Sequence, residues 1–151
     1  MDAVTYPDDL VVQFINANLI PLRVKSDSMP LSKDFNITWT PTLITLDQDG
    51  KEHYRTVGFL SPPELISSLL LGIAKVYFET AKFDKCLEAL ERIISGYPKS
   101  KAAPEAVFLR GVAGYKSTHD GKHLKAAYEK LQAEYPGTEW ADRAQPYRLL
   151  K

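Results

Sequence analysis

The sequence predicts two successive structural classes, an α/β unit followed by an all-α unit. Strand and helix patterns alternate over residues 1–60, in the order helix, strand, helix, strand, strand. From Ser61 onward the apolar residues recur only with the 3.6-residue period of amphipathic helices. The change of period at one place in the chain indicates two modules that share the helix beginning there.

The first three elements follow from apolar spacing. Residues 8–18 have apolar positions at helical spacing, and Pro7 precedes them, where a missing N–H costs little. Residues 19–25 are apolar and partly β-branched, which predicts a strand although Pro21 restricts where it can pair. Residues 31–37 are predicted as a short helix that ends near Asn36.

The next two elements form a predicted hairpin. The runs 42–46 and 53–57 are strand-like and flank the letters DQDGK. Their Asp-Gly pair favours a tight turn, because glycine tolerates positive φ.

Five helices are predicted in the second half. The first has Ser61 as N-cap, prolines in its first turn, and Glu64 at the position that completes a capping box. Pro146 lies inside the last helix and removes a backbone hydrogen bond. The predicted ranges are 61–81, 83–96, 101–117, 121–135 and 138–149.

The helical half also repeats itself. Residues 90–106 and 128–144 align with each other at an offset of 38 residues. Each contains a Tyr-Pro pair followed by a candidate helix cap, Ser100 in the first and Thr138 in the second. A helix-hairpin repeat is the simplest account of this pattern.

Charge and hydropathy narrow the range of partners. The 151 residues contain 19 basic and 19 acidic side chains, so no net field attracts nucleic acid or anionic lipid. The apolar run 65–78 is shorter than the roughly 20 residues that span a bilayer. The N-terminus has acidic residues where a signal peptide needs basic ones. We expect a cytoplasmic protein without a nucleic-acid or membrane partner, and a lost signal peptide stays an open alternative.

Neither a disulfide nor a metal site is expected. Cys86 is the single cysteine, and we interpret it as a buried core residue rather than as a reactive thiol. The three histidines lack cysteine or carboxylate partners at zinc-binding spacings. His119 and His123, on either side of Asp120, are interpreted as solvated loop residues. No cofactor is expected.

Residues 31–65 resemble a segment of the thioredoxin-like superfamily. That segment runs from a short helix through a cis-proline and a hairpin ending in glycine to the final helix. Pro41 matches the cis-proline and Gly58 matches the glycine. The resemblance implies a thioredoxin-like domain at 1–72, incomplete at its N-terminus, with a cis Thr40–Pro41 bond.

The same resemblance identifies a candidate binding loop. In the family the cis-proline loop contacts the extended backbone of a substrate. The matching residues are Trp39, Thr40, Pro41 and Thr42. Trp39 either adds an apolar surface for a partner or packs on the neighbouring helix.

The family's Cys-x-x-Cys motif has no counterpart in this sequence. By resemblance, Met1 corresponds to a methionine just after that motif, so the first strand and both cysteines would precede it. This strand is central in the family's sheet, between the strands matching 19–25 and 42–46. We expect upstream residues in the natural protein. The alternatives are that the strands matching 19–25 and 42–46 pair with each other directly, or that a strand from another chain lies between them.

The second half resembles a tetratricopeptide pair, which predicts a helical domain at 66–151 that shares the linking helix. Large apolar or small residues occupy the expected positions of one repeat before Pro98: Leu70, Ile73, Ala74, Tyr77, Cys86, Leu90 and Ile93. The unit before Pro136 is divergent.

Together the resemblances imply the C-terminal portion of a thioredoxin-family thiol–disulfide oxidoreductase that lacks the redox cysteines. Whether the chain belongs to an enzyme is therefore open. The alternative is a redox-inert module that binds a protein or peptide partner through the 39–42 loop and the helical repeats. Two repeats with a terminal helix equally suit a homodimer or packing against the first domain.

Overall fold

A computed structural model describes residues 1–150, so Lys151, the last residue of the predicted helical domain, lies outside the described residues. These residues form an α/β part followed by helices, as the sequence predicts. In chain order the elements are α1 (Asp9–Asn18), α2 (Leu31–Asp34), β1 (Thr42–Leu46), β2 (Glu52–Val57), α3 (Pro62–Glu79), α4 (Phe83–Gly96), α5 (Ala102–Thr118), α6 (Lys122–Glu134), α7 (Glu139–Arg143) and a 3-10 helix (Gln145–Leu149).

The predicted hairpin forms. β1 and β2 pair antiparallel, with Thr42 opposite Val57 and an irregularity in the register after Thr45. Asp47 holds the turn, because its Oδ1 accepts hydrogen bonds from the backbone N–H groups of Asp49 and Lys51.

The prediction of a strand at 19–25 is wrong. Within residues 1–150 the sheet has only the strands β1 and β2, and the 19–25 segment pairs with neither. A strand is held by ladder hydrogen bonds to a neighbour, and Pro21 has no N–H to donate. The side chains also lack a layer to pack on, since Ile20 is 99% exposed and Leu22 is 81% exposed.

Two predicted helices are shorter than expected. α2 ends at Asp34, and Asn36 has a left-handed φ of 49°, which ends the helical path. The helix predicted at 138–149 is divided into α7 and the 3-10 helix, and Pro146 lies at the start of the second piece. Proline lacks the N–H that a continuous α-helix would need at this position.

The predicted capping box of α3 does not form. The Ser61 side chain makes no capping hydrogen bond. The Glu64 carboxylate instead accepts hydrogen bonds from the backbone N–H of Lys101, at 3.1 and 3.2 Å, and so caps α5. Ser100, predicted as the cap of α5, is buried and its Oγ has no hydrogen-bond partner among residues 1–150. Thr138 does cap α7, with its Oγ1 accepting from the N–H of Ala141.

The hairpin packs on one face of α3. Residues 68, 72, 75 and 79 of α3 are spaced so that they share this face. Gly72 lies against the Thr45 side chain, and the Lys75 ammonium lies 4.5 Å from the centre of the Tyr54 ring. Ser68 lies beside the Tyr54 hydroxyl. Small residues at 68 and 72 allow the strands to come close to the helix.

The rest of α3 contributes to the helical core. Each of the helices α3 to α6 packs against the next one in the chain, and α1 packs on α3. The largest fully buried apolar side chains are Leu65, Leu70, Leu71, Leu90, Ile93, Val107, Leu131 and Val11. The two repeated Tyr-Pro turns meet, because Tyr135 donates its hydroxyl hydrogen to the carbonyl of Pro98 at 2.8 Å. No helix in residues 1–150 is long and apolar enough to cross a membrane.

Candidate functional site

The loop Trp39–Thr42 leads into β1, of which Thr42 is the first residue. Its Thr40–Pro41 peptide bond is cis, the geometry that the resemblance implies, and the Met29–Pro30 bond is also cis. The Pro41 carbonyl accepts a hydrogen bond from the N–H of Gly58 at 2.9 Å, which fixes the loop to the end of β2. The Thr42 hydroxyl donates to the Trp39 carbonyl at 2.6 Å. The loop is therefore held from both sides of Pro41.

Two aromatic side chains are exposed beside this backbone pair. Trp39 is 67% exposed, so it offers an apolar surface rather than packing on a neighbouring helix. Phe59 is 63% exposed and directly follows Gly58, the residue bonded to Pro41. Phe59 is not among the site residues predicted from the sequence, although an aromatic residue directly after the hairpin glycine is a visible signal. Exposed aromatic residues of this kind are enriched in protein interfaces.

An open cavity of about 320 Å³ borders the loop. Its lining residues are Ser26, Ile37, Thr38, Trp39 and Thr40. This volume is at the lower end of the range for ligand pockets. The cavity has room for a side chain of a bound polypeptide.

β1 also presents unpaired backbone groups. Pro41 and Gly58 form a hydrogen-bonded pair, so the antiparallel alternation directs the N–H and C=O groups of Thr42 and Ile44 away from β2. No other strand lies on that side in the described part of the chain. Such an edge is a template for an added extended segment.

Cys86 lies in the helical core, apart from this loop. Its side chain is fully buried and has no disulfide partner. Burial raises the pKa of the thiol to about 11, so the nucleophilic thiolate is scarce at neutral pH. Cys86 therefore has the character of a core residue, as the sequence analysis expects.

A buried histidine joins the hairpin to α3, a contact that is not predicted from the sequence. The His53 side chain is 1% exposed, and its Nε2 lies 2.7 Å from Oδ2 of Asp47. Its Nδ1 lies 2.9 Å from Oε2 of Glu79, without the alignment of a hydrogen bond. The hydrogen bond with His53, followed by that from the Lys51 N–H, lowers the pKa of Asp47. With so little access to solvent, we interpret His53 as an anchor of the hairpin.

His119 and His123 are both exposed, as expected from the sequence, but the prediction that both lie in a loop is wrong for His123, which is the second residue of α6. In residues 1–150 no group of three or more His, Cys, Asp or Glu side chains has the geometry to hold a metal ion.

Comparison with known families gives two matches. Residues 6–72 match a thioredoxin-like domain, and residues 68–100 match a tetratricopeptide repeat. The two matches overlap at residues 68–72, inside α3. No curated protein and no solved structure gave a match.

Proposed function

For a chain that carries a thioredoxin-like domain at residues 6–72 and a tetratricopeptide repeat at 68–100, we propose a role in binding a partner polypeptide. The partner contributes an extended segment, which contacts the loop formed by Trp39, Thr40, Pro41 and Thr42. The observation that carries this proposal is the exposure of Trp39 beside an open cavity and a free strand edge.

The chemistry of this surface suits an extended backbone. The outward N–H and C=O groups of Thr42 and Ile44 are spaced to pair with a strand. Trp39 adds apolar area in the loop, and Phe59 adds apolar area next to Gly58, which bonds to Pro41. A side chain of the bound segment enters the cavity next to Trp39.

We further propose that this loop is the substrate side of a thiol–disulfide oxidoreductase whose cysteine pair lies outside these 151 residues. A thiolate of that pair attacks one sulfur of the substrate disulfide, which forms a mixed disulfide and releases a substrate thiolate. The second thiolate of the pair then attacks the mixed disulfide, so the substrate leaves reduced and the enzyme becomes oxidised. The described residues hold the substrate during these steps and take no electrons themselves.

A redox-inert binding module is the second candidate, and the buried state of Cys86 favours it for these 151 residues. The one thiol present is buried with a raised pKa, so these residues bind without reacting. Tetratricopeptide repeats form protein-interaction surfaces, which agrees with either candidate.

The binding proposal is tested with Trp39 fluorescence in a Trp140→Phe background, which leaves Trp39 as the single tryptophan. The probe is the reduced and carboxymethylated B chain of insulin, an unfolded peptide that cannot exchange disulfides. We expect saturable binding that is lost in Trp39→Ala, measured in that variant by fluorescence anisotropy of labelled probe. Tyr115→Ala removes an exposed aromatic residue on α5 and is the matched control, with no loss expected. Equal binding by both variants would refute the loop as the binding site.

The redox proposal is tested separately. The 151-residue chain is expected to add nothing to insulin reduction by dithiothreitol. Translation of the gene upstream of the Met1 codon decides between the two candidates. An in-frame Cys-x-x-Cys supports the oxidoreductase, and its absence leaves the binding module.

A further inference from the structure

Arg55 bonds to the segment that leads into the proposed binding loop. Its Nη2 donates to the Phe35 carbonyl at 2.7 Å, and its Nη1 lies 3.5 Å from the Asn36 carbonyl. Tyr54 faces α3, so the alternation of β2 places Arg55 on the opposite face of the hairpin. The sequence gives no sign of this contact, because Arg55 and Phe35 lie in different elements.

The two carbonyls need an outside partner. Phe35 is the C-cap of α2, and Asn36 has a left-handed φ of 49°. Carbonyls at the end of a helix have no partner within the helix. A guanidinium is well suited to them, because it presents several N–H donors in a fixed plane.

Glu52 fixes the guanidinium in place. Its two carboxylate oxygens accept hydrogen bonds from Nε and Nη2 of Arg55 at 2.8 and 2.7 Å. The hydrogen bond from Arg55 is the main cause that lowers the pKa of Glu52. Both side chains are about one-third exposed, so the pair lies at the surface.

Arg55 and Gly58 thus hold the two ends of one loop. Arg55 bonds the chain at Phe35 and Asn36, and the N–H of Gly58 bonds it at Pro41. The intervening residues are Ile37, Thr38, Trp39 and Thr40, which line the cavity. One anchor lies within β2 and the other directly follows β2, so the loop and the strands form one unit.

We propose that Arg55 is a positioning residue, which holds the carbonyls of Phe35 and Asn36 and so sets the place of Trp39 at the cavity. The positioning rests on the geometry alone. Its consequence for partner binding rests on the proposed function. Lysine at this position keeps the charge but cannot donate to two carbonyls and a carboxylate in one plane.

The test of positioning needs no ligand. The Ile37 N–H donates to the Ser32 carbonyl at 2.8 Å, so its hydrogen exchange reports opening of this segment. In the full chain, Arg55→Lys and Arg55→Met are each expected to speed this exchange about tenfold, as for the loss of one charge-assisted hydrogen bond. Faster motion of the Trp39 indole, seen by nitrogen-15 relaxation, is expected in the same variants.

Arg110→Met is the matched control. Arg110 is also partly exposed and also pairs with a glutamate, Glu91, but it lies on α5. Its substitution is expected to leave both readouts at Ile37 and Trp39 unchanged. Unchanged exchange in both Arg55 variants, or an equal effect of Arg110→Met, would overturn the positioning role. If Arg55→Met does not fold, the single variants Glu52→Gln and Arg55→Lys are each compared with Arg110→Met instead.

Partner binding is measured separately from the positioning of the loop. The same variants are titrated with carboxymethylated insulin B chain. If the loop is the binding site, Arg55→Lys weakens binding while Arg110→Met does not. Faster exchange at Ile37 without any probe binding by the wild-type chain supports the positioning role and refutes the proposed function.

Discussion

Substitution of Gly72 by alanine tests how closely the hairpin packs on α3. A Cβ at this position would lie 2.3 Å from Oγ1 of Thr45 and 2.9 Å from its Cβ. The Thr45 hydroxyl can rotate away, but its Cβ is fixed by the strand. The hairpin must therefore shift away from the helix to accept even one methyl group.

Two opposing effects determine the size of the change. Alanine stabilises a helix interior by about 1 kcal/mol relative to glycine. Overpacking of a close contact costs about 1–3 kcal/mol. We expect Gly72→Ala to lower the free energy of unfolding by about 0–2 kcal/mol, or the Tm by about 2–4 °C per kcal/mol for a chain of this size.

Gly96→Ala is the matched control for this measurement. Gly96 is also helical, and a Cβ there would meet nothing within 4 Å. We expect this substitution to be neutral or stabilising in urea denaturation followed by circular dichroism. Combining Gly72→Ala with Thr45→Ala should recover only a small part of the loss, because the Oγ1 and Cγ2 contacts disappear while the contact with the Cβ of residue 45 remains. If Gly72→Ala stabilises the protein as much as Gly96→Ala does, the hairpin is not packed as tightly as described.

Three further predictions concern other parts of the molecule. Partial burial raises the pKa of Glu79, but the Lys51 hydrogen bond and the charges of Lys51 and His53 outweigh it and lower the pKa overall. The resulting stability is present above the pKa of Glu79 in the unfolded chain and is lost as pH falls through its pKa in the folded chain. Glu79→Gln should therefore reduce the loss of unfolding free energy that is measured as the pH is lowered. Thr5 is fully buried and donates to a backbone carbonyl at 2.6 Å, so Thr5→Val should cost about 1–3 kcal/mol in urea denaturation, and a neutral effect would contradict the importance of that bond. Cys86 should resist a thiol-labelling reagent until the protein is denatured, and rapid labelling of the native chain would refute its assignment to the core.

Local sequence signals predicted the elements whose causes are themselves local. The Asp-Gly turn gave the hairpin, and apolar spacing gave α3, α4, α5 and α6 to within a few residues. Pro146 correctly indicated where the last helix is interrupted. The loop 39–42 was found through resemblance, and its role in binding stays a prediction.

The wrong predictions have a different cause, because the contacts that decide these features involve residues distant in the sequence. The 19–25 segment has the composition of a strand, but pairing requires a neighbour that the described chain does not supply. Glu64 was assigned to its own helix, yet it caps α5. Nothing near His53 in the sequence indicates that Glu79 approaches it. Contacts of this kind arise only when the elements pack.

The shared helix α3 has a consequence for how the protein responds to ligands. One face of α3 holds the hairpin, and the remainder completes the core with α4 and α5. Neither half therefore keeps its packing if α3 unfolds, and a single cooperative transition is expected. By thermodynamic linkage, a ligand that binds only the folded state at either half raises the unfolding free energy of both. A partner bound to the helical repeats would thus also stabilise the Trp39 loop, without touching it.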